Sequence, residues 1–404
     1  MRRLTRVREL GQSPLARTIF SLYVVQGLNY ILPLTVLPFL LRVLGPRHYG
    51  AVAFAQSLMT YAVITTDFGF NLSATRAISL ARGEPEEVSR IFWTVLFAKM
   101  LLLVAVLIVI AVGVFASPTL RTHAGVIMVC SIAVVGSVFL PQWYFQGLEK
   151  MQIMAAMQAV SRICVLPLIF VLVRSPKSDL FAATLLSTPS LIGSIFCLLY
   201  IRLGSPLIFY RPSAGEILSV LKNSWHLFLS NVATTAYVAG NGFILGFVAG
   251  DSAVASYTLA NKAALAAFYL LVPISQAVFP RASVVFQRSI DDGREFVRKL
   301  SLPFIGCGLV VSLVLEVFAS PIVRILGGVQ YEKSVDVLRV MAALPVVLSL
   351  ALLLAQIVMI NLEMSRALSR IYVVMALLSL IVLPVLGKNF GALGGAISLG
   401  HPWA

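Results

Sequence analysis

Apolar residues run along this chain in blocks of membrane-crossing length, separated by short polar and charged stretches rather than alternating with them. The hydrocarbon of a bilayer is about 30 Å thick, so a helix of about 20 apolar residues crosses it. Runs of that length predict helices over residues 17–41, 48–75, 91–116, 124–146, 152–173, 180–202, 225–249, 252–280, 300–324, 334–360 and 370–387, with a last run from Gly391. Connections are short; the longest are 203–224 and the charged stretch 281–299. Within the former, Ala214–Lys222 puts Ile217, Leu218 and Leu221 on one helical face, as in a short helix on the membrane surface or an ordinary linker helix. Either reading places a boundary there, between lobes of residues 1–213 and 214–404. From Gly391 only 14 residues remain, ending His401-Pro402-Trp403-Ala404. That is about 21 Å of helix, too short to span. The expected fold is therefore an all-α integral membrane bundle of 12 transmembrane helices in two lobes, the last helix incomplete.

Composition excludes the alternatives to a membrane protein. Of 404 residues, 59% are hydrophobic and 12% charged, with a mean hydropathy of +0.95. Soluble domains sit near 45–50% and about 25%. A net charge of +15 would suggest nucleic acid in a soluble chain, but here it reports orientation. With the N-terminus inside, inner segments hold 19 Lys/Arg and outer segments nine, while Lys99, Arg162 and Lys262 fall within spans. This positive-inside bias predicts a cytoplasmic N-terminus and no nucleic-acid partner. The apolar run after Arg2, Arg3, Arg6, Arg8 and Arg17 is too long for a cleavable signal. Cys130, Cys164, Cys197 and Cys307 lie in apolar runs without paired spacing, as small hydrophobes do.

An offset of 205 residues aligns VLGPRHYGAVAFAQS, from Val43, with VAGDSAVASYTLANK, from Val248. Gly45 then falls on Gly250, Gln56 on Asn261 and Arg76 on Arg281. Duplicated halves of six helices each share one orientation, which makes the pseudo-axis run along the membrane normal and encloses a cavity between lobes.

Ser21 to Ser79 carries Gln26-Gly27-Leu28-Asn29-Tyr30, Pro33 and Pro38, Leu44-Gly45-Pro46, and Asp67-Phe68-Gly69-Phe70-Asn71 leading to Ala74-Thr75-Arg76. Later come Gln142-Trp143-Tyr144-Phe145-Gln146-Gly147 with Glu149, and Gly391-Ala392-Leu393-Gly394-Gly395-Ala396. On these segments the chain resembles the polysaccharide biosynthesis (Wzx-type) flippases of lipid-linked oligosaccharides, in the superfamily of the multidrug/toxin (MATE) exporters. The resemblance implies a MATE-like bundle in the bacterial inner membrane. It also implies export of an undecaprenyl-diphosphate-linked glycan repeat unit, such as O-antigen, with membrane lipid and other glycan-assembly membrane proteins as partners.

Charged residues within spans carry the candidate chemistry, because an ionised side chain at mid-helix costs about 2.5–3.5 kcal/mol on insertion scales. Asp67 is the acid of the second run; it reads as a proton-coupling group or as a structural ion pair with Arg76. Asn71 and Arg76 lie nearer the cytoplasmic end, and a guanidinium fork suits phosphate oxygens, though snorkelling to the interface explains Arg76 and Arg281 equally. Lys99, Arg162 and Lys262 sit deeper, and a shared aqueous chamber relieves their cost; such a chamber selects anions, a diphosphate or an acidic sugar. Asn231, Asn241, Asn261, Gln26, Asn29 and Gln56 offer glycan contacts or interhelical hydrogen bonds. Gly242, Gly246 and Gly250 form overlapping G-x-x-x-G units for close helix packing. No H-E-x-x-H, cysteine cluster or phosphate-cradling loop occurs, so neither a metal, a cofactor nor direct ATP use is expected. Two other readings stand beside the flippase. A MATE-like exporter of cations would want acidic and aromatic walls, and a membrane glycan polymerase or ligase would want a large outside loop.

Overall fold

The structure, a computed structural model, describes residues 14–204, 207–359, 361, 362 and 364–400, with residues 14–34 described by backbone alone. The arginines at positions 2–8, the side chains of Gln26 to Tyr30, and His401–Ala404 lie outside the described residues. Every regular element among those described is helical.

Helix α1 (Pro14–Asp67) carries the first predicted run and the second as far as Asp67, where the expected helix 48–75 is broken, and it kinks at Gly45, whose φ of 71° is left-handed. Then follow α2 (Phe70–Leu80), α3 (Pro85–Ala116), the short α4 (Pro118–Thr122), α5 (Ala124–Phe139), the short α6 (Gln142–Gly147), α7 (Met151–Leu172) and α8 (Asp179–Gly204). Helices α9 (Ala214–Val248), α10 (Asp251–Phe268), α11 (Val272–Arg288) and α12 (Ile290–Val317) lead to α13 (Ala319–Gly327), α14 (Ser334–Met341) and α15 (Leu344–Leu352). A π-helical segment (Leu353–Met359), α16 (Ser365–Phe390) and α17 (Ala392–Gly400) complete the order. Seven stretches among the described residues are long and apolar enough to cross a membrane: Pro85–Ala116, Ala124–Gly147, Met151–Leu172, Asp179–Gly204, Ile290–Val317, Ser334–Met359 and Val373–Phe390.

Three expectations are corrected. Ala214–Lys222 is not a separate surface helix but the first turns of α9. A capping box starts it: Ser213 Oγ accepts from the Glu216 amide while the Glu216 carboxylate accepts from the Ser213 amide. No Gly or Pro then interrupts the helix before Trp225. The run 252–280 is two helices, α10 and α11, parted at Tyr269–Leu271. The charged stretch before residue 300 is helical from Ile290, started by Ser289 Oγ, which accepts from the Asp291 amide.

The chain forms two compact units, Val43–Ala255 and a second made of Met1–Arg42 with Ser256–Ala404. The boundary expected at residues 213–214 lies inside the first of these. In the Val43–Ala255 unit, Phe70, Ile78, Phe92, Val95, Trp143 and Phe145 build a core in which α2, α3 and α6 meet. Along α9, small residues admit α1: a side-chain carbon at Gly246 would stand 2.1 Å from the Phe54 ring, and one at Gly242 would stand 2.4 Å from Ser57 Oγ. Gly250, third of that glycine series, has open space and a φ of +79°; it ends α9 instead of packing it. Its offset mate Gly45 breaks α1 with the same handedness, as duplicated halves would.

In the second unit, Ala282, Phe286 and Ile357 form a core against Val278, Phe296 and Leu300. Gln330 Nε2 donates to the Leu41 carbonyl at 2.9 Å, and Arg42 donates to the Ile325 carbonyl. All four cysteines are free.

Candidate functional site

Asp67 is the last residue of α1, and the two residues after it are both left-handed: Phe68 at φ 45° and Gly69 at φ 79°. A side chain on Gly69 would also strike Leu227 Cβ at 2.7 Å, so backbone sterics and packing both select glycine there. The break turns the chain sharply between α1 and α2. Asn71, one turn on, sends its Nδ2 back to Asp67 Oδ2 at 3.4 Å.

Lys99 arrives from the middle of α3. Its Nζ donates to Asp67 Oδ1 at 2.7 Å and to the Ser137 carbonyl at 2.9 Å, and lies 4.7 Å from the centre of the Trp143 ring. The availability of that carbonyl follows from sequence. In a continuing helix Ser137 would accept from residue 141, which is Pro141 and has no N–H. The carbonyl freed at the end of α5 is taken by Lys99. Two hydrogen bonds and a ring face thus surround the three N–H groups of the ammonium. Lys99 is 1% exposed, whereas the Asp67 side chain keeps 24%. The cation is sealed and the anion can be reached.

The two motif segments singled out above meet here. Gly147 of α6 lies against Ile78 of α2, Ser79 Oγ donates to the Gly147 carbonyl at 3.2 Å, and Arg82 Nε donates to the same oxygen at 2.7 Å. Arg82 also pairs with Glu149 at 2.9 Å. Toward the same end, Arg90 holds Glu87 through two hydrogen bonds of 2.8 and 2.7 Å and reaches Glu216 of α9 at 3.4 Å. A cavity of about 250 Å³ opens beside it, lined by Ser73, Arg90, Thr94, Glu216, Asn223 and Ser224.

The predicted site residues therefore divide. Asp67, Asn71 and Lys99 come together; the acid pairs with Lys99, not with Arg76. Arg76 is exposed on α2, and Arg162 is half-buried on α7 with no ion pair among the described residues. Lys262 is exposed on α10 in the other unit, and the side chain of Arg281, on α11, lies outside the described residues. Lys99 is not an open cation, because its charge is matched within the protein. At the 205-residue offset Asp67 corresponds to Val272 and Lys99 to Phe304, so the pair belongs to one half only. Sequence reasoning missed Trp143 as a platform for Lys99 and the Ser137 carbonyl, although the spacing of Pro141 from Ser137 signalled the latter.

Residues 15–286 match the family model described as polysaccharide biosynthesis protein. A protein of Escherichia coli (strain K12), named as a proposed O-antigen transporter, is 33% identical over 385 residues, covering 95% of this chain and 93% of that one. Among solved structures, the lipid II flippase MurJ in an inward closed conformation superimposes with a TM-score of 0.72 at 15% identity, over 94% of this chain and 84% of that one. An inward-facing multidrug resistance transporter of the MATE family, in the MOP superfamily, gives a TM-score of 0.68 at 13% identity, over 93% and 96%. The fold is MATE-like.

Proposed function

The chain belongs to the polysaccharide biosynthesis protein family, and from that premise we propose that it is a flippase carrying an undecaprenyl-diphosphate-linked oligosaccharide repeat unit, of the O-antigen or exopolysaccharide kind, across the bacterial inner membrane. The observation that carries this reading is the identity with a proposed O-antigen transporter along nearly the whole of both chains. Membership places the chain among membrane transporters, not enzymes.

In the proposed cycle the N-terminus is cytoplasmic, 12 helices form lobes of residues 1–213 and 214–404, and the lobes rock about a cationic chamber. Arg76, Arg162, Lys262 and Arg281 are the groups offered to the diphosphate, with Asn71 at its edge, while the lipid tail stays in the bilayer. Guanidinium groups favour phosphate oxygens bidentately. Lys99, sealed against Asp67, holds the α1–α2 break in place instead of meeting the headgroup. Asp67 is the coupling candidate, since it is the reachable member of the pair: a proton taken up there would release Lys99. This neutralised acid also weighs against a cation exporter, which needs an uncompensated one.

The test is a strain lacking the gene, complemented with the wild type or with Arg76→Ala, Arg162→Ala or Lys262→Ala at matched expression. Loss of surface glycan with lipid-linked repeat units retained on the cytoplasmic face is expected for the deletion, and reduced export for the variants. Normal surface glycan in the deletion, or unpolymerised units already outside, would overturn the reading.

A further inference from the structure

Away from the Asp67–Lys99 pair, one histidine has both ring nitrogens facing acceptors. His123 lies between α4 and α5, outside the spanning stretches. Its Nδ1 stands 2.8 Å from the Thr119 carbonyl and its Nε2 stands 2.9 Å from Asp251 Oδ1. Neither a carbonyl nor a carboxylate can donate, so each contact needs an N–H on the ring. A neutral imidazole has one. The imidazolium alone satisfies both, and Asp251 is the charged group that faces it among the described residues; the Phe54 ring packs edge-on with its centroid 5.2 Å away.

The place of this contact gives it a consequence. Asp251 opens α10, directly after the break at Gly250, 128 residues from His123 in the chain. Around it α1 is pressed against both α9 and the start of α10: a side-chain carbon on Gly50 would overlap the Asp251 carbonyl, and Phe54 stacks on Phe243 of α9 at 5.7 Å. We propose that His123 is a proton-binding site, and that the bound proton ties the α4–α5 connection to the start of α10, closing this end of the α1–α9 seam. On the lobe division proposed above, on which this inference rests, the tie crosses between lobes at the outward end. A second pair, His48 Nδ1 to Asp179 Oδ2 at 3.0 Å, joins two segments of the same lobe and has no such duty.

The direction of the pH dependence follows. The hydrogen bond to Asp251, foremost, raises the His123 pKa above its ordinary value. Stabilisation of the tied state is therefore complete below the untied pKa and is lost as pH rises through the tied one. Acid closes the seam; alkali frees it.

Spin labels on Thr122→Cys and Ser252→Cys, with the exposed Cys164 and Cys307 replaced by Ser, report the separation in nanodiscs by pulsed dipolar spectroscopy. Between about pH 5.5 and about pH 8.5 the ratio of long to short distances should rise several-fold. His123→Gln and Asp251→Asn should each abolish that dependence and hold the long distance throughout, while His48→Gln keeps it. A wild-type ratio unchanged with pH, an unaltered response in His123→Gln, or its loss in His48→Gln would each overturn the proposal. No glycan is needed for this readout. A pH-driven distance change in a protein that moves no glycan would sink the flippase reading and leave the proton site standing; transport with a fixed distance would do the reverse.

Discussion

Replacing Lys99 by Met removes the ammonium while keeping most of the aliphatic stem. Asp67 then loses its 2.7 Å partner and is left with the 3.4 Å hydrogen bond from Asn71. Removing one member of a buried pair costs about 3–5 kcal/mol, because the other charge stays desolvated. The Asp67 side chain keeps 24% exposure, so water recovers part of this and the lower end, about 3 kcal/mol, is expected. Asp67→Asn alone strands the sealed ammonium and should cost at least as much. With both substitutions no charge is stranded, and the double variant should lie within about 1 kcal/mol of the wild type. The coupling in the cycle, the two single costs less that of the double variant, is then about 5 kcal/mol or more. Unfolding of the purified protein in mixed micelles, titrated with denaturing detergent, measures all four corners under one condition. Single effects that add to within about 0.5 kcal/mol would refute the pairing.

Three further outcomes follow from the same geometry. Pro141→Ala restores an N–H able to compete for the Ser137 carbonyl now bonded to Lys99 at 2.9 Å; export should fall with little loss of expression, measured as surface glycan against membrane protein level. Gly246→Leu drives carbon into the Phe54 ring and should destabilise by about 1–3 kcal/mol in the same detergent titration, far more than Gly83→Leu, where nothing lies within reach. Arg82→Ala and Glu149→Ala break an ion pair with side chains 40% and 77% exposed, so Glu149→Ala should cost under about 1 kcal/mol; Arg82→Ala should cost more, since Arg82 also donates to the Gly147 carbonyl.

Much of this architecture is legible in the chain because lipid imposes one strong rule, that apolar length equals span. The runs at 152–173 and 180–202 became helices within two residues of their expected ends; the run at 91–116 begins six residues earlier, at Pro85, and the run at 124–146 is parted into α5 and α6 at Leu140–Pro141. Boundaries set by local backbone geometry were harder. Nothing in hydropathy separates Ala214–Lys222 from the span that follows, and nothing apolar marks the break at Tyr269–Leu271. The glycines did better: Gly45 and Gly250, matched by the internal offset, both take left-handed φ and both end helical segments.

For the site, the expense of charge in hydrocarbon singled out Asp67 and Lys99, but it offered Lys99 an aqueous chamber where the structure gives it a carboxylate. It could not say that they partner each other, 32 positions apart, because the pairing depends on how α3 packs against the α1–α2 break. Arg76 is nearer in sequence, yet it lies beyond that break and stays exposed. His123 and Asp251 carry no local signal at all, since His123 sits in a short connection, Asp251 at the first position of α10, and their meeting depends on two distant helix ends.

The most direct measurement of the central claim uses the purified protein in liposomes holding an undecaprenyl-diphosphate oligosaccharide in both leaflets, with an impermeant lectin or oxidant outside. The account predicts that protected headgroups become reachable at a rate set by the amount of protein, slowed in Arg76→Ala and Arg162→Ala. Equal rates in protein-containing and protein-free vesicles, with the protein shown to be folded, would contradict it.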